Sequence, residues 1–161
     1  IDRPTGVGQD YRTEYYEILS GSLRKHPQWN DNTNDNDIGV FVLQQKVPQV
    51  RPIPYNTQAL NASWVGKEPV MVGYGLVQSV PSAIRVVQKH SAQISITLVR
   101  KDRIVHQAKN KSICHGDSGG PALFDFNGQL RVIGVHSYVI ATPVPGAVPP
   151  RTACDRLAFD P

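Results

Sequence analysis

The segment Cys114-His115-Gly116-Asp117-Ser118-Gly119-Gly120-Pro121 sets one serine among three glycines. Gly116, Gly119 and Gly120 can take backbone conformations closed to residues with a Cβ. A turn of this kind exposes a hydroxyl. It also gathers successive backbone N–H groups on one side, a nest for an anion. Acyl transfer needs that combination: a nucleophile beside donors aimed at a developing oxyanion. Any one of these glycines alone would indicate no more than a turn. The whole string indicates more.

Working outward, short apolar runs flank the segment on both sides. Downstream, residues 121–124 and 131–139 read as strands, and Asn127-Gly128 between them marks a hairpin. A proline-rich loop follows at 143–151. Upstream, residues 92–98, 85–88 and 70–75 read as strands. The run Ile38-Gly39-Val40-Phe41-Val42-Leu43 is short, apolar and preceded by turn formers, so it predicts a buried strand. Residues 26–37 are turn formers almost throughout and predict a surface loop. That loop does not fit a calcium-binding EF-hand, because Asn36 stands where glycine is required and Val42 where glutamate is required. Val50-Arg51-Pro52-Ile53-Pro54-Tyr55 is held extended by its prolines and predicts a linker. The spacing of these segments predicts an all-β fold.

Composition agrees. The chain has 161 residues, 40% of them hydrophobic, with 13 glycines and 13 prolines, which favours turns and short strands over long helices. Its 17 basic and 13 acidic residues give a net charge of +4. The basic residues are scattered, densest at Arg100, Lys101, Arg103, Lys109 and Lys111, and no aromatic residues interleave with that cluster. This predicts a solvated rim and no nucleic-acid partner. No apolar run is long enough to span a bilayer, so no membrane partner is expected. Cys114 and Cys154 are compatible with one disulfide and an oxidising compartment, or with two buried thiols.

Residues 116–121 read GDSGGP, and with Cys114 ahead of them they resemble the nucleophile signature of the trypsin-like (chymotrypsin-fold) serine proteases. The resemblance implies Ser118 as nucleophile and the N–H groups of Gly116 and Ser118 as oxyanion hole. It implies Asp117 as the buried carboxylate that pairs with a new N-terminal amine in activated members. Asn36-Asp37-Ile38-Gly39-Val40, 81 residues before Ser118, resembles the family's aspartate motif and makes Asp37 the triad aspartate. Residues 72–75 resemble the start of the second barrel, and residues 133–138 resemble the strand that lines the substrate cleft. The implied fold is all-β, a double antiparallel β-barrel with its first barrel incomplete. Residues 1–50 would be the remainder of that barrel and residues 51–161 the second, with nucleophile and specificity pocket. Ser112, Ser137, Tyr138 and Val139 would line the pocket. Cys114 and Cys154 would form the disulfide that staples its walls. No cofactor and no metal is implied.

One element of the family's machinery is missing. Its histidine precedes the aspartate by several tens of residues, and only His26 comes before Asp37, 11 residues away. His26 with Pro27 matches a later feature of the family. His90 and His106 lie on charged segments that predict exposure, and His115 adjoins the oxyanion glycine. His136 lies on the cleft strand, on the face opposite Ser137 by strand alternation. Residues 1–3 resemble the sequence that follows the histidine motif, so about a quarter of the protease, in a complementary N-terminal segment or chain, is expected to supply the histidine. The end is also expected to fall short of the family's closing strand and helix. The implied function is a secreted serine endopeptidase acting on protein or peptide substrates by a Ser-His-Asp acyl-enzyme mechanism, this chain alone being inactive. The alternative is a non-catalytic homologue serving as a binding module. On specificity, Ser112 at the pocket base is not a carboxylate, which disfavours Arg and Lys substrates. A neutral base suits a large side chain and Val139 a smaller one, so the expectation stops at "not Arg or Lys".

Overall fold

The structure is a computed structural model that describes residues 2–4, 11–48, 50–75, 89–108, 111–141 and 158–160. The strand expected at 85–88 and the loop at 143–151 lie outside those residues. The regular elements are nearly all strands: β1 (Asp2–Pro4), β2 (Tyr11–Thr13), β3 (Arg24–Lys25), β4 (Gly39–Val40), β5 (Val70–Gly73), β6 (His90–Gln93), β7 (Ile96–Val99), β8 (Ile104–Ala108), β9 (Pro121–Phe126), β10 (Gln129–Val135), β11 (Ile140–Ala141) and β12 (Ala158–Asp160). The one helical element among them is a 3₁₀ turn at Ala62–Trp64, capped by the Asn61 side chain. No helix among the described residues is long and apolar enough to cross a membrane.

The chain forms two compact units, residues 1–27 with 39–52, and residues 28–38 with 53–161. The loop that carries Asp37 therefore clusters with the second unit.

In the first unit β1 pairs with β2 and β3 with β4, all antiparallel, and Ile18 bridges Leu43. The run from Ile38 to Leu43 is not the buried strand that its composition predicts. Only Gly39 and Val40 form a strand, and Val40, Phe41 and Val42 are each more than half exposed. The reason is geometric. β4 pairs only with β3 among the described residues, and a two-stranded ribbon buries neither of its faces by itself.

The second unit carries two four-stranded sheets, ordered β10-β9-β5-β6 and β11-β12-β8-β7, with every strand pair antiparallel. The segment 92–98 is two strands, not one. At Ile94 and Ser95 the chain leaves β5's sheet for β8's, and Ile94 and Ile96 are each 1% exposed. Burial of each contributes about 1.5–3 kcal/mol. Ile94 packs with Met71, Ile113 and Ala122 as the core under the sheets. The Asn127-Gly128 hairpin forms as expected: both residues are left-handed (φ 55 and 86), and the Asp125 carboxylate accepts the Gly128 N–H at 2.6 Å. Residues 54–56 run beside β10, with Val132 N–H donating to the Pro54 carbonyl and Asn56 N–H to that of Val132. This extended stretch protects the edge of β10. A short strand, β12, does occur near the end of the chain, between β11 and β8.

His106 corrects a second expectation. Charged residues precede it, yet it is only 2% exposed, because its ring points to the buried side of β8, toward Ile94 and His136. Burial pushes its pKa from 6.5 to about 4, against a backbone hydrogen bond to Ile94 that favours the charged ring and with repulsion from His136 adding to the drop. The unfolded chain binds this proton at higher pH than the folded one does. Stability is therefore complete above pH 6.5 and is lost as the pH falls toward about 4. The full loss is about 3 kcal/mol. Denaturant unfolding across that window should show this fall, and His106→Gln should flatten it.

Candidate active site

The nucleophile segment folds as a tight double turn. Asp117 N–H donates to the Cys114 carbonyl at 3.0 Å, and Gly120 N–H to that of Asp117 at 2.9 Å. Gly116 and Gly119 are left-handed at φ 97 and 82, which only glycine adopts without strain. The N–H groups of Asp117, Gly119 and Gly120 are all used inside the turn or against His136. Those of Gly116 and Ser118 donate to none of the described residues. The Ser118 side chain is exposed, as a nucleophile requires.

Asp117 pins this turn to the rest of the unit. One carboxylate oxygen accepts the Gly75 N–H and the other the Cys114 N–H, each at 2.7 Å. Such charge-assisted bonds are the stronger kind. The bend at 73–75 has to be glycine on both sides of Tyr74. A Cβ on Gly73 would overlap Asp117 Oδ1, and one on Gly75 would lie 2.6 Å from it.

His136 lies beneath the turn. Its N–H donates to the Gly120 carbonyl at 2.9 Å, and its own carbonyl accepts the Gly119 N–H at 2.8 Å. The ring is buried against Gly120, where an added Cβ would come within 3.0 Å of Cδ2. Burial lowers its pKa, opposed by the Asp117 charge and a backbone hydrogen bond to Val72, and Nε2 has no partner among the described residues.

Ser137 follows, and it joins two of the expected site residues. Its hydroxyl donates to Asp37 Oδ2 at 2.6 Å, across 100 residues of sequence. Its carbonyl stands 3.5 Å from Ser118 Oγ. Asp37, Ser137 and Ser118 thus meet at the end of β10. Beside them is a cavity of about 230 Å³ whose lining includes Asp37, Ser137, Tyr138, Leu60 and Ile104. The Tyr138 hydroxyl is taken by Arg103.

The other predicted residues lie as follows. Ser112 is half-buried, with its hydroxyl on the Ile113 carbonyl. Val139 packs on the core cluster of Met71, Ile94, Ile113 and Ala122. Cys114 is buried, and Cys154 lies outside the described residues. His115 is exposed beside the turn, and His26 belongs to the first unit. Among the described residues no group of His, Cys, Asp and Glu could hold a metal ion. Sequence reasoning missed the glycine cradle, although the spacing Gly73-Tyr74-Gly75 was visible. It also missed Arg103, which nothing distinguishes from the charged residues around it.

The family model for Trypsin matches residues 6–150 of the chain, and the chain belongs to that family. It is similar to vitamin K-dependent protein C of Mus musculus, at 27% identity over 134 residues, covering 70% of this chain. The chain spans 29% of that relative's length.

The cradle gives a direct test. Gly75→Ala should cost about 1–3 kcal/mol through overpacking. Gly134→Ala, whose Cβ would meet Ile104 at an ordinary 3.5 Å, should be close to neutral. Thermal melting of the two variants beside the parent chain checks the difference.

Proposed function

We propose that this chain carries the nucleophile and the triad aspartate of a secreted serine endopeptidase. In this reading Ser118 attacks the scissile carbonyl of a protein or peptide substrate. The N–H groups of Gly116 and Ser118 receive the oxyanion, and Asp37 orients a histidine supplied by a complementary N-terminal segment or chain. That histidine takes the serine proton and returns it to the leaving amine. The observation that carries the reading is the meeting of Asp37 and Ser118 at Ser137. The two unused N–H groups of the turn support it, since an oxyanion hole needs donors not already spent.

The half-exposed run Val40-Phe41-Val42 supports a complementary segment, because apolar surface of this kind is covered in a finished barrel. Residues 1–50 and 51–161 are read as parts of two β-barrels, the first incomplete. Cys114 is read as paired with Cys154, which suits a secreted chain and would contribute about 2–4 kcal/mol. Ser112, Ser137, Tyr138 and Val139 are read as lining a pocket that does not select Arg or Lys.

Intact mass under denaturing conditions, before and after a serine-directed fluorophosphonate, tests the mechanism. A single adduct on Ser118, absent in Ser118→Ala and dependent on a second, histidine-bearing polypeptide or segment, is the expected result. No adduct with that segment present would favour a binding module on a protease scaffold. For the pocket, Ser112→Asp should raise kcat/KM for cleavage after Arg or Lys, as a carboxylate at its base would.

A further inference from the structure

The loop that carries Asp37 is built from turn formers and holds itself together by an Asn30–Asp35 bridge and two left-handed asparagines, Asn34 and Asn36. None of this fixes where Asp37 points. Two of the loop's acidic side chains reach other parts of the same unit. One is Asp37, bonded to Ser137. The other is Asp35, which pairs with the Arg103 guanidinium.

Arg103 makes three kinds of contact. Its Nη2 serves Asp35 as well as Asp102, the latter at 2.7 Å, and its Nε reaches Asp102 at 3.0 Å. Its Nη1 donates to the Tyr138 hydroxyl, and the guanidinium carbon lies 5.7 Å from the centroid of the Tyr138 ring. The Arg103 side chain is 15% exposed and that of Asp102 24%, so this pair is screened less than a surface pair, whereas Asp35 is 43% exposed. Arg103 therefore ties the residue two before Asp37 to the residue next after Ser137. Without the guanidinium, Asp35 and Asp102 would face each other as unneutralised carboxylates. Their repulsion would push the loop away, and Asp37 is too close in sequence to Asp35 to stay behind.

We propose that Arg103 is the positioning residue for the site: it clamps the 28–38 loop onto the segment after β10 that carries Ser137 and Tyr138, and so holds Asp37 in hydrogen-bonding reach of Ser137. The consequence for catalysis rests on the protease reading given above. The planar fork explains why arginine stands here. Lysine gathers its three donors on one nitrogen and lacks the fork that lets Nε, Nη2 and Nη1 reach two carboxylates and a phenol from separate positions.

Two measurements separate the clamp from the protease reading. The first is hydrogen exchange by mass spectrometry on the full chain. In Arg103→Met, amides of the 28–38 loop should exchange at least about tenfold faster, with β9 and β10 unchanged, and Asp35→Asn should reproduce the effect. The double variant should exchange no faster than either single one, because both break one contact. The second is turnover by the protease assembled with its histidine-bearing segment. There kcat should fall about 10- to 100-fold in Arg103→Met with KM nearly unchanged, and Arg103→Lys should recover only a part. Unchanged loop exchange in Arg103→Met, or additive effects of the two single variants, would overturn the clamp whatever the turnover. A fall in KM-linked binding with kcat intact would overturn its role in placing Asp37. A parent protease that neither labels nor turns over would refute the protease reading, with the exchange result still deciding the clamp.

Discussion

The Asp117 carboxylate is the constraint on which the site depends. A buried carboxylate is costly unless its oxygens are bonded. Here each oxygen accepts a backbone N–H, from Gly75 on one side and Cys114 on the other. Asp117 is the immediate neighbour of Ser118, so pinning its side chain fixes the backbone on which the serine stands. The glycines follow from the same requirement. Gly73 and Gly75 have no Cβ because the carboxylate occupies that space, and Gly116 turns left-handed between the pinned Cys114 and the pinned Asp117. One ionised side chain thus fixes the spacing of the bend, the turn and the serine together.

The end of β10 does the complementary work. After Val135 the backbone runs on through three residues with different tasks. His136 turns inward under the nucleophile turn and exchanges two hydrogen bonds with it. Ser137 faces Asp37. Tyr138 meets Arg103. A serine between two larger residues also keeps the space beside Ser118 open.

Much of this was legible in the sequence where the information is local. A serine flanked by glycines states its own turn chemistry, and Asn127-Gly128 states its hairpin. Asp37 was legible only by resemblance, because an aspartate closing a polar loop has no physical mark until Ser137 arrives from 100 residues away. What failed to read was non-local. His106 follows charged residues and becomes buried because its ring points to the buried side of β8, toward Ile94 and His136. The segment 92–98 looks like one strand because nothing local reports that its two halves belong to different sheets. The run 38–43 has the composition of a core strand, but composition does not say whether a partner layer is at hand. Arg103 is one cation in a charged stretch, and only the fold separates it from Arg100 and Lys101.

The two aspartates of the site differ in what they have left to give. Asp117 has one backbone donor on each oxygen and lies against glycine on two sides, so its role is spent on structure. Asp37 accepts one hydrogen bond, on Oδ2, and among the described residues nothing donates to Oδ1. A carboxylate can accept several hydrogen bonds, and this one is exposed. It is held at one oxygen and available at the other. The same comparison explains why the two residues tolerate such different surroundings. A carboxylate used for support gains from full enclosure by backbone amides, whereas one used to steer another side chain needs a fixed edge and an open one.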